Sequence, residues 1–151
     1  MRTEESTSML LNKVNNITSE REGEEFLDNH SFSKSLSDHF NEFFSSHPAL
    51  KTADVIRESC ISREYAYEIL NGKKDRPGRD KIIALCISCG MSLKETNRAL
   101  SLSGNNELYI KNDRDAALIM CINFRSRGKA DYKNVTFING FLASRGFDIL
   151  S

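Results

Sequence analysis

Two cysteines three positions apart, Cys86 and Cys89, have the spacing that comes nearest to reactive chemistry in this chain. A C-x-x-C pair can bind zinc or exchange disulfides. A cysteine zinc site needs two close pairs, however, and the remaining cysteines, Cys60 and Cys121, are single. The C-x-x-C pair also lies in an apolar helical stretch, where free cysteines are small core residues. The sequence therefore predicts no metal site, no redox centre and no cofactor.

Other residue types that carry catalysis form no pattern. The three histidines, His30, His39 and His47, all lie in the first third of the chain and outside any nucleophile or metal motif. The sequence has no G-x-S-x-G, no H-E-x-x-H and no glycine-rich phosphate loop. We therefore expect a protein that is not an enzyme.

Length and charge narrow the kind of protein that the sequence can encode. The chain has 151 residues, 39% of them hydrophobic, and its 21 basic and 21 acidic residues give a net charge of zero. The charge is uneven, because residues 1–30 carry a net −4 whereas residues 51–81 carry +2 and residues 82–151 carry +3. No apolar run approaches the roughly 20 residues of a membrane span, and no export signal opens the chain. These features predict a cytoplasmic protein of one domain with an acidic arm.

Helical periodicity dominates from residue 33 onward. Leu36, Phe40 and Phe43 share one apolar stripe of a helix that ends at His47-Pro48. We expect four more helices to follow before residue 104. The expected caps and ends are Thr52 and then Ser62 as N-caps, Asn71-Gly72 as an end, Asp80 as a start, Gly90 as an end, Ser92 as an N-cap and Gly104 as an end. Val55, Ile56 and Cys60 are expected to point inward from the helix that Thr52 caps.

A weak internal repeat extends the helical prediction to the end of the chain. RDKIIALCIS at 79–88 matches RDAALIMCIN at 114–123 in four of ten positions. Asn-x-x-Leu-x-x-x-Gly then occurs at 97–104 and again at 139–146, with about one heptad inserted in the later copy. We interpret the two copies as two helix pairs, the second stacked on the first.

The stretch from Lys51 to Ser92 carries the functional prediction. Two short helices flank a tight turn at Ser59-Cys60-Ile61, and the apolar Ile61 would fill the corner between them. This is a helix-turn-helix arrangement, in which the second helix can enter the major groove of DNA.

These residues resemble the Xre family of lambda-repressor-like helix-turn-helix domains. The resemblance covers about residues 35–104 and is carried by Thr52, Ala53 to Ile56, Cys60-Ile61-Ser62, Ala66, Ile69, Asn71-Gly72-Lys73, Pro77, Ile82 to Leu85 and Gly90-Met91-Ser92-Leu93. In that family a glycine often stands where this chain has Cys60. The resemblance implies an all-α fold, namely a five-helix domain of this type plus an added helical pair, in a bacterial, cytoplasmic, sequence-specific transcriptional regulator.

The resemblance also implies site residues. The helix at about 62–70 would read DNA, and its outward residues are the candidate base contacts: Arg63, Glu64, Tyr65, Tyr67 and Glu68. Thr52 matches a position that meets phosphate, and nearby cations could clamp the backbone: Lys51, Lys73, Lys74 and Arg76. Glu64 and Glu68 would be repelled by phosphates, although glutamate can accept a hydrogen bond from cytosine.

Two alternatives stay open. The same surface, with its tyrosines and polar rim, would also suit a protein-interaction adaptor that keeps the fold but binds a partner protein. Four phenylalanines in the added pair, Phe124, Phe137, Phe141 and Phe147, either form a homodimer interface or fill the core, and the core is the commoner fate of such side chains.

The predicted organisation has three parts. Residues 1–32 form an acidic arm that is partly disordered or loosely helical. Residues 33–104 form the helix-turn-helix domain, and residues 105–151 form a helical extension packed on it. Double-stranded DNA is the predicted partner, and no membrane is expected.

Overall fold

The fold was determined from a computed structural model that describes residues 7–29 and 34–151. Within these residues the chain is all-helical and contains no strand, which confirms the predicted all-α class. Across the same part of the chain, every helix is too short or too polar to traverse a bilayer. The α-helices are α1 Thr7–Asn15, α2 Glu20–Asn29, α3 Leu36–Ser46, α4 Thr52–Ser59, α5 Arg63–Leu70, α6 Arg79–Cys89, α7 Leu93–Leu102, α8 Asp113–Ser126 and α9 Val135–Ser144, and a short 3-10 helix spans Ala130–Lys133.

The chain divides into two compact units, Met1–Lys34 and Ser35–Ser151. The first contains α1 and α2. α1 buries none of its residues, and α2 begins where the Glu22 amide donates to the Ser19 hydroxyl at 3.2 Å. The predicted acidic arm is thus helical over much of its described length. The remainder of that arm, residues 1–6 and 30–32, lies outside the described residues, as does His30.

Serine side chains begin three helices of the second unit. Ser35 and Ser92 form capping boxes with Asp38 and Glu95, and the Ser62 hydroxyl accepts from the Tyr65 amide. Each satisfies backbone N–H groups that the first helical turn leaves unpaired. The predictions for Ser62 and Ser92 are therefore confirmed.

Two predictions about α4 are wrong. Thr52 does not cap the helix, because Lys51 occupies the N-cap position without a side-chain hydrogen bond and Thr52 is the first helical residue. Cys60 does not point inward. It follows the last turn of α4 in a left-handed conformation, which redirects the chain and leaves its side chain exposed.

Helix α6 lies at the centre of the second unit. Every residue from Ile82 to Cys89 is buried, so the helix must be surrounded on all sides. α4, α7, α9 and the 3-10 helix pack against it. The Ser88 hydroxyl donates to the Val55 carbonyl and thereby ties α6 to α4.

The internal repeat corresponds to two similar helix pairs, α6–α7 and α8–α9. In the first pair, the Asn97 side chain accepts from the Leu108 amide at 2.9 Å, and in the second Asn139 accepts from the Leu150 amide at 2.9 Å. Each asparagine thus holds the segment that leaves its helix pair, with a buried leucine at the same place. The heptad inserted in the later copy contains the 3-10 helix.

Reciprocal ion pairs join the two helix pairs. Arg79, the first residue of α6, donates to both carboxylate oxygens of Asp115 in α8 at 3.0 and 2.8 Å. Arg114 in α8 donates to both oxygens of Asp80 in α6 at 3.0 and 2.8 Å. Bidentate pairs of this kind are the strong, orientation-specific class of ion pair.

The phenylalanines of the extension differ in their surroundings. Phe141 and Phe147 are half-buried and pack on the core, whereas Phe137 is 44% exposed. Phe137 and Phe124 flank Tyr132, with ring centroids 5.0 and 5.1 Å away. Part of the set therefore fills the core, and homodimerisation through the exposed part stays a prediction.

Replacing Asp115 should show how strongly the reciprocal pairs stabilise the fold. The Asp115 side chain is 8% exposed and that of Arg79 is 26% exposed. Removing one partner of a buried pair costs about 3–5 kcal/mol, and solvent at Arg79 reduces this, so we expect Asp115→Asn to lower the free energy of unfolding by about 2–4 kcal/mol. Urea denaturation at neutral pH measures the change. Asp54→Asn is the control, since its pair with Arg57 is exposed and should contribute less than about 1 kcal/mol; equal losses in the two variants would contradict the prediction.

The same carboxylate should make stability depend on acidity. Burial tends to raise the pKa of Asp115, but hydrogen bonds from Arg79 and the Tyr109 amide, with the charges of Arg79 and Arg114, outweigh it and lower the pKa. A carboxyl whose pKa is lowered by folding stabilises the fold fully above its unfolded pKa of about 3.9, and this contribution is lost as the pH falls through the lower folded pKa. The free energy of unfolding of the wild type should therefore fall between about pH 5 and about pH 3 more steeply than that of Asp115→Asn. Parallel slopes would show that Asp115 is not a source of the acid sensitivity.

Candidate functional site

The corner between α4 and α5 is built from three residues. Cys60 has φ 61° and ψ 14°, the left-handed conformation that glycine adopts without strain. Ile61 follows and is buried. The Ser59 hydroxyl donates to the Ile56 carbonyl at 2.6 Å and accepts from the Ile61 amide at 3.2 Å, which closes the turn. Sequence reasoning located this corner correctly, and Cys60 holds the backbone shape for which a glycine is usual.

Helix α5 is held from both ends. The Ser62 hydroxyl caps its start, and the Asn41 side chain on α3 donates to the Leu70 carbonyl at its end at 3.1 Å. Ala66, Ile69 and Leu70 are buried against the core. Because one face is fixed in this way, the opposite face is presented in a single orientation.

Three of the predicted base-contact residues lie on that open face. Arg63, Glu64 and Tyr67 are exposed, and the Arg63 guanidinium lies 5.5 Å from the centre of the Tyr67 ring. A cation over a ring face is attracted by its quadrupole, so Tyr67 orients Arg63 while leaving its N–H donors uncommitted. No carboxylate of the described residues pairs with Arg63, and no cation pairs with Glu64.

Tyr65 is placed differently from the other candidates. Its hydroxyl accepts from the Gly78 amide at 3.2 Å. The Lys74 and Lys81 ammonium groups lie 4.9 and 5.7 Å from the centre of its ring. Tyr65 therefore anchors the loop between α5 and α6 and is half-buried there, beside the open face instead of on it.

Glu68, the second acid of the predicted reading face, has a cationic partner. Its carboxylate lies 3.5 Å from the Lys74 ammonium, and the two side chains are 24% and 40% exposed. The backbone strengthens this arrangement, because the Lys74 amide donates to the Glu68 carbonyl at 2.8 Å. The negative charge of Glu68 is thus offset locally, and Lys74 is correspondingly less free than the sequence suggested.

Three flanking cations have no such partner. The side chains of Lys51, Lys73 and Arg76 are exposed and make no ion pair or hydrogen bond with the described part of the chain. Thr52 is half-buried and, with Tyr67 and Asn71, lines a shallow depression of about 290 Å³ between α3, α4 and α5. Residues 51–76 contain six basic and five acidic residues, so the surface around α5 is close to neutral overall.

The extension meets the corner at one point that sequence reasoning missed. The Cys60 sulfur lies 3.2 Å from the Thr136 hydroxyl near the start of α9. No sequence signal linked these residues, which are 76 positions apart. The contact leaves Arg63, Glu64 and Tyr67 exposed.

The remaining cysteines lie inside the helical core. Burial raises the pKa of Cys89 to about 12 and that of Cys121 to about 11, and it raises the pKa of Cys86 well above its ordinary value. These thiols are therefore protonated at neutral pH. In the described residues no group of three or more histidines, cysteines and acids is arranged to hold a metal ion.

Comparison of the chain with protein-family models, curated proteins and solved structures found no match.

Substitutions at Cys60 test the geometry of the corner. A side chain in the left-handed region costs about 1–3 kcal/mol, and a β-branched one fits least well. We expect Cys60→Gly to be at least as stable as the wild type and Cys60→Val to be less stable than Cys60→Gly by about 1–3 kcal/mol. Thermal and urea unfolding measure both, with Thr136→Val as the control for the loss of the contact to α9. A valine variant as stable as the glycine variant would show that the corner does not require positive φ.

Proposed function

We propose that residues 35–151 form a sequence-specific DNA-binding unit of the lambda-repressor-like, Xre type, in a bacterial regulator of transcription that acts in the cytoplasm. The carrying observation is α5 itself: a short helix, fixed at both ends, with an exposed face that begins at a tight corner. A major groove about 12 Å wide admits such a helix. The neighbouring α4 would then lie across the DNA backbone.

Arg63 is the residue that we expect to read a base. It is the first residue of α5, where a recognition helix contacts base edges. Its guanidinium is supported by the Tyr67 ring and has no carboxylate partner in the described residues, so its paired N–H donors are available to O6 and N7 of guanine. Glu64 beside it could accept from cytosine, whereas Glu68 is neutralised by Lys74 and contributes less.

Phosphate contacts in this proposal come from the unpaired cations. Lys51 precedes α4, while Lys73 and Arg76 follow α5, so cations flank the reading helix on both sides along the chain. Thr52, in the first turn of α4, adds a hydroxyl and the positive end of the helix dipole. Phosphate neutralisation depends on the cations within reach, so these side chains can act although residues 51–76 are close to neutral in total.

The decisive experiment is selection of bound sequences from random duplex DNA at two salt concentrations with the full chain. We expect one enriched motif, and binding that weakens steeply as salt rises, because phosphate contacts release counterions. Absence of enrichment at the lower salt concentration would reject DNA recognition. It would favour the alternative proposal, in which the same exposed face binds a partner protein.

Matched substitutions separate reading from clamping. Arg63→Ala should cost about 1–3 kcal/mol on the selected site and flatten the preference at one base pair. Lys73→Ala should weaken binding to all sequences alike and reduce the salt slope by about 1. Arg98→Ala is the control for the loss of an exposed positive charge. Arg98 lies on α7, which packs on α3, α6 and α8. A uniform loss in Arg63→Ala would show that Arg63 contacts phosphate and not a base.

A further inference from the structure

A cleft of about 430 Å³ opens in the second unit where several elements end. The end of α3 and the following loop contribute Phe43, His47 and Leu50, and the end of α6 contributes Gly90. Arg125 near the end of α8 and Lys133 at the end of the 3-10 helix supply the positive charges of the lining. Its volume falls within the range of about 300–1,000 Å³ typical of small-molecule sites.

The cleft contains two cations without an anion. Arg125 and Lys133 are half-buried, yet neither forms an ion pair or a side-chain hydrogen bond with the described part of the chain. The five N–H donors of Arg125 and the three of Lys133 are therefore uncommitted to protein acceptors. Among the described residues, none that lines the cleft is acidic.

Gly90 makes room for the Arg125 guanidinium. A Cβ atom at Gly90 would lie 2.0 Å from one Arg125 Nη atom and 2.5 Å from its Cζ atom, so the guanidinium rests directly on the backbone at the end of α6. Gly90 also has φ 82°, which glycine adopts freely. The carboxyl end of a helix attracts a positive charge, and Arg125 lies there without a side-chain hydrogen bond to the described residues.

Phe43 and Leu50 give the cleft an apolar part of its lining. The His47 ring stacks on Phe43 with a centroid distance of 4.0 Å, and its Nδ1 donates to the Phe43 carbonyl at 2.8 Å. Cys89 also lines the cleft, and because burial raises its pKa to about 12 its thiol is neutral and does not compete as an anion.

We propose that this cleft binds a small organic carboxylate, with the charged end held by Arg125 and Lys133 and a short apolar or aromatic body against Phe43 and Leu50. A guanidinium matches a carboxylate through two parallel hydrogen bonds, and the ammonium adds a point charge. An inorganic anion would leave the apolar part of the lining unused. The proposal does not depend on DNA binding.

Calorimetric titration and amide chemical-shift mapping of the full chain test it, with benzoate and hexanoate as probes. Benzyl alcohol and hexanol, which keep the apolar bodies and lack the charge, are the matched ligands. We expect saturable binding of the carboxylates, shifts centred on Leu50, Gly90 and Arg125, and alcohols weaker by at least about tenfold. Absence of saturable carboxylate binding, equal binding of the alcohols, or equal binding of inorganic phosphate would overturn the proposal.

Variants locate the site independently. Arg125→Gln should weaken carboxylate binding at least about tenfold, and Lys133→Gln should do so severalfold. Arg127→Gln is the control, because it removes an exposed arginine two residues away that does not line the cleft. Circular dichroism and the Tm confirm folding of each variant. Unchanged affinity in both folded cleft variants would place the carboxylate elsewhere.

Discussion

The reciprocal pairing of Arg79 with Asp115 and of Arg114 with Asp80 is the constraint on which the second unit depends. Each arginine also donates to two carbonyls of the segment that closes its own helix pair. Each aspartate accepts an amide from the segment that closes the other pair. Sliding one helix pair past the other would break both ion pairs together and leave four partly buried charges unpaired. The register of α6 against α8 is therefore tightly determined.

This register reaches the surface through α6. Arg79 begins α6 directly after Gly78, whose amide bonds to Tyr65 on α5, and further along α6 the Ser88 hydroxyl bonds to the Val55 carbonyl of α4. α4 thus packs directly on α6, whereas α5 packs on α3 and α4 and is tied to the start of α6 by the hydrogen bond between Gly78 and Tyr65. An eight-residue helix makes few contacts of its own, so packing on α3 and α4, with the hydrogen bonds from Asn41 and Gly78, gives α5 one orientation.

The sequence predicted this architecture through periodicity and caps. The helical class, the corner at Ser59-Cys60-Ile61 and the caps at Ser62 and Ser92 follow from local rules that act over three or four residues. The errors at Thr52 and Cys60 arose where two local rules compete. Threonine is favoured as an N-cap, but it also fits the first turn of a helix, where Thr52 lies. An apolar thiol favours the core, but the corner places Cys60 at positive φ after the last turn of α4. The repeat shows the dipeptide Arg-Asp at 79–80 and again at 114–115. It does not show that each arginine binds the aspartate of the other dipeptide, because the choice of partner depends on distances in the folded chain.

The candidate site illustrates the same limit in electrostatics. A count of charges along the sequence gives Glu64 and Glu68 equal weight in repelling a polyanion. In the fold Lys74 pairs with Glu68, whereas Glu64 is exposed. The count likewise treats Lys73 and Lys74 as equal clamps, although Lys74 is shared between Glu68 and the Tyr65 ring. The potential that a ligand meets is set by the charges left unpaired after folding. Among residues 51–76, the pairs Arg57–Asp54 and Lys74–Glu68 each remove one charge of either sign, so the unpaired net charge equals the residue total. What folding decides is where the remaining charges lie. The cations left unpaired within the described residues are Lys51, Arg63, Lys73 and Arg76, and the acids are Glu58, Glu64 and Asp75.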